Sequence, residues 1–194
     1  MKILAIETSC DETSLSLFAA TETASGVDFD VHNTITQSQI DIHQEFGGVF
    51  PALAKREHQK NLVPILLKIL NQEAVERSEM ISNSEIEKIL ERESEFLESF
   101  MKYVMPISNP GIDAICVTSG PGLEPALWVG ISFAKALGAL WNIPVIPVNH
   151  MEGHVLSVLV PSDVSSSSSQ GKTEVGLLHF QFLKMYSHFL LLRY

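Results

Sequence analysis

Ile143-Pro144-Val145-Ile146-Pro147-Val148-Asn149-His150-Met151-Glu152-Gly153-His154 is a short apolar run that passes directly into a candidate helix. Its first six residues are all apolar, the pattern of a buried strand. Asn149 stands where a helix N-cap is expected. His150 and His154 then lie four apart on one helix face, the spacing at which both rings reach one metal ion. A polar helix start just past the end of a buried strand is where open α/β sheets hold ligands. The same pair also suits a helix whose two histidines are each satisfied by backbone partners. Two ligands do not complete a metal site, and nothing nearby supplies an obvious third.

Upstream, Ile112-Asp113-Ala114-Ile115-Cys116-Val117 reads as a second buried strand, followed by Thr118-Ser119-Gly120-Pro121-Gly122. A helix runs on from Leu123 to about Leu140, with Leu127, Ile131, Ala134 and Leu137 on one side. Strand, Gly-rich turn and helix is the arrangement in which backbone amides meet an anionic group. It is neither a Walker loop nor GxGxxG, so a simple tight turn is an equal reading.

The chain opens on a third apolar strand, Ile3 to Ile6, and an alternating one begins at Leu15. Between them lies Glu7-Thr8-Ser9-Cys10-Asp11-Glu12-Thr13-Ser14, eight residues without Gly or Pro, four hydroxylic and three acidic. A hairpin needs only about two to five loop residues. Hydroxyls and amides hold phosphate oxygens, and carboxylates hold Mg²⁺ or orient water. A solvated turn is the alternative. Gly26 to Thr36 reads as a further hairpin strand, with Val31, Asn33 and Ile35 alternating. The Gly-broken loop Ile42 to Pro51 leads into a helix with proline in its favoured first turn. Ala52, Leu53, Leu62, Ile65, Leu66 and Ile69 form the expected apolar face. Lys55-Arg56-Glu57-His58 is a charged patch midway, either a solvated face or the wall of a site.

Residues 72–105 are a compositional island: Glu73 to Lys102 holds nine Glu against four Lys and Arg. Ile86, Ile89, Leu90, Leu97, Phe100, Met101 and Val104 recur at helical spacing, and Ser82 with Glu85 makes a capping box. The expectation is an acidic amphipathic helix inserted between two halves. From Pro161 the character changes to a serine run, Ser165 to Ser169, then a polar linker and a tail, Leu177 to Tyr194, without acidic residues.

Hydrophobic content of 45% with 19% charged residues is that of a soluble globular protein. A formal net charge of -10 argues against gripping nucleic acid by bulk electrostatics. Any RNA contact needs a local basic patch or a partner. Cys10 and Cys116 are lone thiols, which suits a reducing compartment. With no presequence, and no apolar run near the roughly 20 residues of a membrane span, a cytoplasmic location and no membrane partner are expected.

Four blocks, Ile6 to Ser14, Gly47 to His58, Thr118 to Leu123 and Val148 to His154, together resemble one family. It is the threonylcarbamoyl transferases that modify the adenosine beside the anticodon of tRNAs, formerly described as O-sialoglycoprotein endopeptidases (glycoprotease-like proteins). The resemblance covers residues 1–160 and is greatest to the bacterial form. It implies an α/β fold of the actin-like, sugar-kinase-like ATPase superfamily, with two lobes of mixed sheet and flanking helices around the site. Residues 1–160 correspond to the first lobe. In that resemblance Glu7 to Ser14 is a phosphate-facing hairpin. Thr8, Ser9, Ser119 and Gly120 are implied to contact substrate or phosphate, and Glu12 is implied to organise the polar side of the cleft as the catalytic candidate. His150 and His154 are implied to bind one Fe(II) or Zn(II) ion. The implied reaction is attack of the adenine exocyclic amine on the carbamoyl carbon of threonylcarbamoyl-AMP, with release of AMP. Implied partners are threonylcarbamoyl-AMP, tRNA, a paralogous dimerisation partner and an ATPase subunit. The paralogue lacks the histidine pair, so the pair points to the catalytic member.

The departures are as specific as the match. The family's Ser-Gly-Gly-His-Thr turn is absent. Leu178 to Leu183 resembles the start of the strand before it, but Lys184 to Tyr194 matches nothing in the pattern. The expectation is therefore a chain whose second lobe and third metal ligand are missing, with 161–194 an aberrant or truncated tail. Weak metal affinity and little transferase activity follow. A non-catalytic dimerisation lobe is the main alternative. A metallopeptidase is a lesser one, because in His-Met-Glu-Gly-His the acid is at the wrong offset for the HExxH base.

Overall fold

The computed structural model describes residues 1–24, 26–72 and 83–157. The serine run and the tail, with the strand start expected at Leu178 to Leu183, lie outside the described residues. The apolar run Ile3 to Ile6 forms β1 (Lys2–Glu7) at the centre of a five-stranded sheet. On one side of it, β2 (Glu12–Thr23) and β3 (Gly26–Ser38) form an antiparallel hairpin ladder. On the other, β4 (Ala114–Gly120) and β5 (Val145–Asn149) run parallel to β1. The order is β3-β2-β1-β4-β5, a mixed α/β sheet. Parallel strands are covered on both faces, which is why β1 and β4 read as continuous apolar runs and not as alternating ones.

Six helices complete the described residues: α1 (Ile40–Gln44), α2 (Pro51–Ile69), α3 (Ser84–Leu90), α4 (Ser94–Tyr103), α5 (Glu124–Trp141) and α6 (His150–Ser157). One sheet face, with Leu4, Ile6, Leu15, Ile115 and Val117, joins α2 to α5 in the larger core. Phe133 of α5 anchors it, its ring centroid 5.5 Å from Phe96 and 5.8 Å from Phe100. Ile3, Ala5, Phe18, Ala114, Cys116 and Val148 form a smaller cluster on the other face.

Two local expectations change. The acidic segment is not one helix but two, α3 and α4, separated by Glu91–Glu93. Their apolar residues Ile86, Leu90, Phe96 and Phe100 belong to the common core. Ser82 lies outside the described residues; the cap is Asn83, whose Oδ1 accepts the Glu85 and Ile86 amides at 3.1 and 3.2 Å. In α2, Ala52 is exposed and Leu53 only partly buried. The buried stripe is instead Ala54, His58, Leu62, Ile65, Leu66 and Ile69, a helical progression that draws His58 out of the charged patch and into the interior. Among the described residues no helix is long and apolar enough to cross a membrane.

Candidate functional site

Because β1, β4 and β5 are parallel, their carboxyl ends share one sheet edge. The β1–β2 loop, the Gly-rich turn after β4 and the start of α6 therefore meet there, at the place where α/β sheets receive ligands. Asn149 Oδ1 accepts the Glu152 amide at 3.1 Å, so the expected N-cap is in place. One turn of α6 then brings His150 Nε2 and His154 Nε2 to 2.9 Å, with the rings edge to face.

His150 is held from behind. Its Nδ1 lies 3.3 Å from Glu7 Oε2 and 3.2 Å from Ser9 Oγ. Glu7 is buried, yet it is surrounded by donors: Oε1 accepts the Ser9 amide at 2.5 Å and Oε2 accepts the Thr118 hydroxyl. Burial pushes its pKa up, but the hydrogen bonds from His150, Ser9 and Thr118 outweigh that and hold it below the usual carboxylate value. An ionised Glu7 accepts from His150 Nδ1–H, which leaves the His150 Nε2 lone pair directed at His154. Burial and the neighbouring His150 lower the pKa of His154, favouring its neutral, ligating form.

The donor set fits a metal ion in part. Two metal–nitrogen bonds of about 2.0–2.1 Å span roughly 2.9–3.4 Å between nitrogens at ordinary coordination angles. The carboxylate–histidine contact is the outer shell that such ligands normally carry. Among the described residues, no three His, Cys, Asp or Glu side chains group closely enough to hold an ion, so the pair by itself would offer only two ligands.

The other expected site residues divide. Ser9 sits beside His150, and its carbonyl accepts the Leu123 amide at 2.7 Å. A Cβ on Gly122 would come within 2.6 Å of that carbonyl, so the Gly-rich turn packs directly on the β1–β2 loop. Ser119 donates to the Val148 carbonyl at 3.2 Å, and Gly120 ends β4 opposite Asn149. Thr8 is fully buried, and its hydroxyl donates to the Ala126 carbonyl of α5 at 3.0 Å. Its side chain is thus turned into the packing of α5 and away from the loop surface. Glu12 opens β2 opposite Ser38. The carboxylate seen against the histidine pair is Glu7. Glu7 and Thr118 lie in the blocks that the sequence singles out but carry no individual site role there; the signal for Glu7 is an acid closing an otherwise apolar buried strand.

Residues 30–82 and 94–185 match the family TsaD: tRNA N6-adenosine threonylcarbamoyltransferase. The chain belongs to this family. Among curated members of that name, the protein of Thermomicrobium roseum is 41% identical over 80% of this chain and 32% of its own length. That of Persephonella marina is 34% identical over 84% of this chain and 36% of its own. The chain thus spans about a third of the threonylcarbamoyltransferases it matches. YeaZ from Pseudomonas aeruginosa aligns over 80% of this chain and 46% of its own, with 15% identity and a TM-score of 0.44.

Proposed function

We propose that the chain is the first lobe of a tRNA threonylcarbamoyltransferase of the actin-like superfamily. Its histidine pair would bind one Fe(II) or Zn(II) ion beside the threonylcarbamoyl group. The reading is carried by one observation: His150 and His154 bring their Nε2 atoms to 2.9 Å from each other while Glu7 and Ser9 hold the far side of His150. In the reaction, the adenine exocyclic amine forms a bond to the carbamoyl carbon of threonylcarbamoyl-AMP, the bond from that carbon to the adenylate breaks, and AMP leaves. An ion held by His150 and His154 would supply Lewis-acid polarisation of the threonylcarbamoyl group. Glu7 keeps the proton of His150 on Nδ1. The turn from Ser119 to Gly122 and the β1–β2 loop offer Ser9, Ser119 and backbone amides at the sheet edge, where a phosphate is held without a charged side chain. Glu12 is retained as the candidate that orders the polar side of the cleft. A net charge of -10 leaves tRNA contact to a partner or a further lobe. A cytoplasmic location belongs to the same reading.

The test is a zinc(II) titration of the full chain against a chromophoric chelator, with His150→Ala and His154→Ala beside it, followed by transfer assays with threonylcarbamoyl-AMP and tRNA. The reading expects metal binding that either substitution abolishes, and affinity below that of a complete three-ligand site. Binding equal in wild type and both variants would refute it. A second reading, a non-catalytic lobe that binds a paralogue, is supported by the lack, among the described residues, of a third His, Cys, Asp or Glu grouped with the pair. Metal binding with no transfer, alongside a stable complex with the paralogue, would select it. Cleavage of sialoglycoprotein by the metal-loaded chain would instead revive the peptidase reading.

A further inference from the structure

A second buried polar cluster lies behind the loop that carries Ser9. Thr13, Gln39, His43 and His58 are all interior. Their partners dictate where each proton sits. His58 Nε2 is 3.1 Å from the Cys10 carbonyl, which only accepts, so Nε2 carries the proton. His58 Nδ1 is then an acceptor, met by the Thr13 hydroxyl at 2.8 Å and the Gln39 amide nitrogen at 3.2 Å. Gln39 Oε1 in turn faces His43 Nε2 at 3.1 Å, which makes that nitrogen a donor. His43 Nδ1 accepts the Phe50 amide at 3.4 Å. Turning the Gln39 amide over would set its oxygen against the His58 lone pair and its NH₂ against the His43 N–H. The chain of bonds from Phe50 to Cys10 therefore has one consistent direction.

The loop is pinned from both sides. Its first half is held by α5, through Thr8 on Ala126 and Leu123 on Ser9. Its second half is held by this segment: the His58 ring donates to the Cys10 carbonyl, the Gln39 backbone N–H donates to the Asp11 carbonyl at 2.8 Å, and both side chains meet Thr13. Ser9, adjoining Cys10, contacts His150 Nδ1 and donates its amide to Glu7. We propose that His58 and the Gln39 side chain are positioning residues for His150: His58 fixes Cys10 and Gln39 orients His58 and Thr13, so that Ser9 and Glu7 keep the His150 ring aimed at His154. Neither touches the pair itself. The consequence for metal binding rests on the reading above; the coupling through the loop does not.

The experiment uses the full chain and two readouts, zinc(II) affinity by chelator competition and hydrogen exchange of the Ser9 amide. His58→Ala and Gln39→Leu are expected to weaken zinc binding about tenfold or more, as loss of outer-shell support does, and to speed Ser9 exchange. His58→Gln keeps a donor for Cys10 and an acceptor for Thr13, and is expected to recover most of both. Phe100→Leu, a core change in α4 away from the loop, supplies a control of comparable loss in Tm that leaves both readouts unchanged. The proposal is overturned if His58→Ala leaves both readouts at wild-type values, or moves them no further than Phe100→Leu does. Should His58→Ala fail to fold, Gln39→Leu and Thr13→Val read the same quantities. If the wild-type chain binds no zinc, the metal reading fails, and Ser9 exchange alone decides this inference.

Discussion

His43 and His58 are answered by backbone groups and by Thr13 and Gln39 in the interior, whereas the Nε2 atoms of His150 and His154 answer each other. The first pair lies in the interior and the second at the rim of the sheet. Both press on the β1–β2 loop, from opposite sides. The difference is one of accessibility. A buried histidine whose partners are interior protein groups is architecture, however close to a site it lies. Two Nε2 atoms that meet each other at a partly exposed edge are where the proposed ion would sit.

The comparison breaks most sharply at the rim. His154→Ala is expected to reduce zinc affinity by more than the roughly 10–100-fold that outer-shell changes bring. Being exposed, the same change should alter stability by no more than about 0.5 kcal/mol. Zinc competition and thermal unfolding on one sample check both. Glu7→Gln keeps the shape and removes the charge that holds His150 Nδ1, and is expected to cost roughly 10–100-fold in zinc affinity. An unchanged affinity would mean that Ser9 alone orients the ring. In the interior the balance inverts. His58→Ala removes the ring that the Cys10 carbonyl and the Thr13 hydroxyl both use, while Gln39 and Asn61 stay on the Thr13 oxygen; a loss of about 1–3 kcal/mol is expected, and denaturant unfolding should register it. Its effect on zinc should stay below that of His154→Ala. Gly130→Ala attacks the α5 side of the loop, since a Cβ there would meet Thr8 Oγ1 at 2.3 Å. Overpacking of this kind costs about 1–3 kcal/mol.

The smallest expected effect is on pH. Burial lowers the His58 pKa below its ordinary 6.5, so below that pH the unfolded chain binds a proton that the folded chain refuses. Stability should therefore rise with pH through the window from the lowered folded value up to 6.5, and be free of this contribution above it. In His58→Gln that rise should flatten, measured as the change in Tm on raising the pH toward and past 6.5. A slope unchanged by the substitution would assign it to other groups.

What the sequence by itself determined is local. The apolar runs at Ile3–Ile6 and Val145–Val148 are strands because neighbouring residues alone decide that pattern. Pro51 starts a helix and Asn149 caps one because each rule acts within a turn. His150 and His154 share a face because helical pitch requires it. The four blocks that resembled the threonylcarbamoyltransferases were legible for the same reason, each being a short run. Only the tertiary structure decided the rest. Glu7 reaches His150 across 143 positions, and His58 reaches Cys10 across 48. No window of sequence contains either pair. His58 stood in a charged patch with Lys55, Arg56 and Glu57 that suited either a solvated face or the wall of a site; it is interior because α2 turns that one position toward the loop. The acidic segment read as one inserted amphipathic helix, and it is the fold that splits it into α3 and α4 and closes Phe96 and Phe100 on Phe133. Strand order, burial and the two sides of the loop are fixed by contacts between distant residues, and those contacts exist only once the chain has folded.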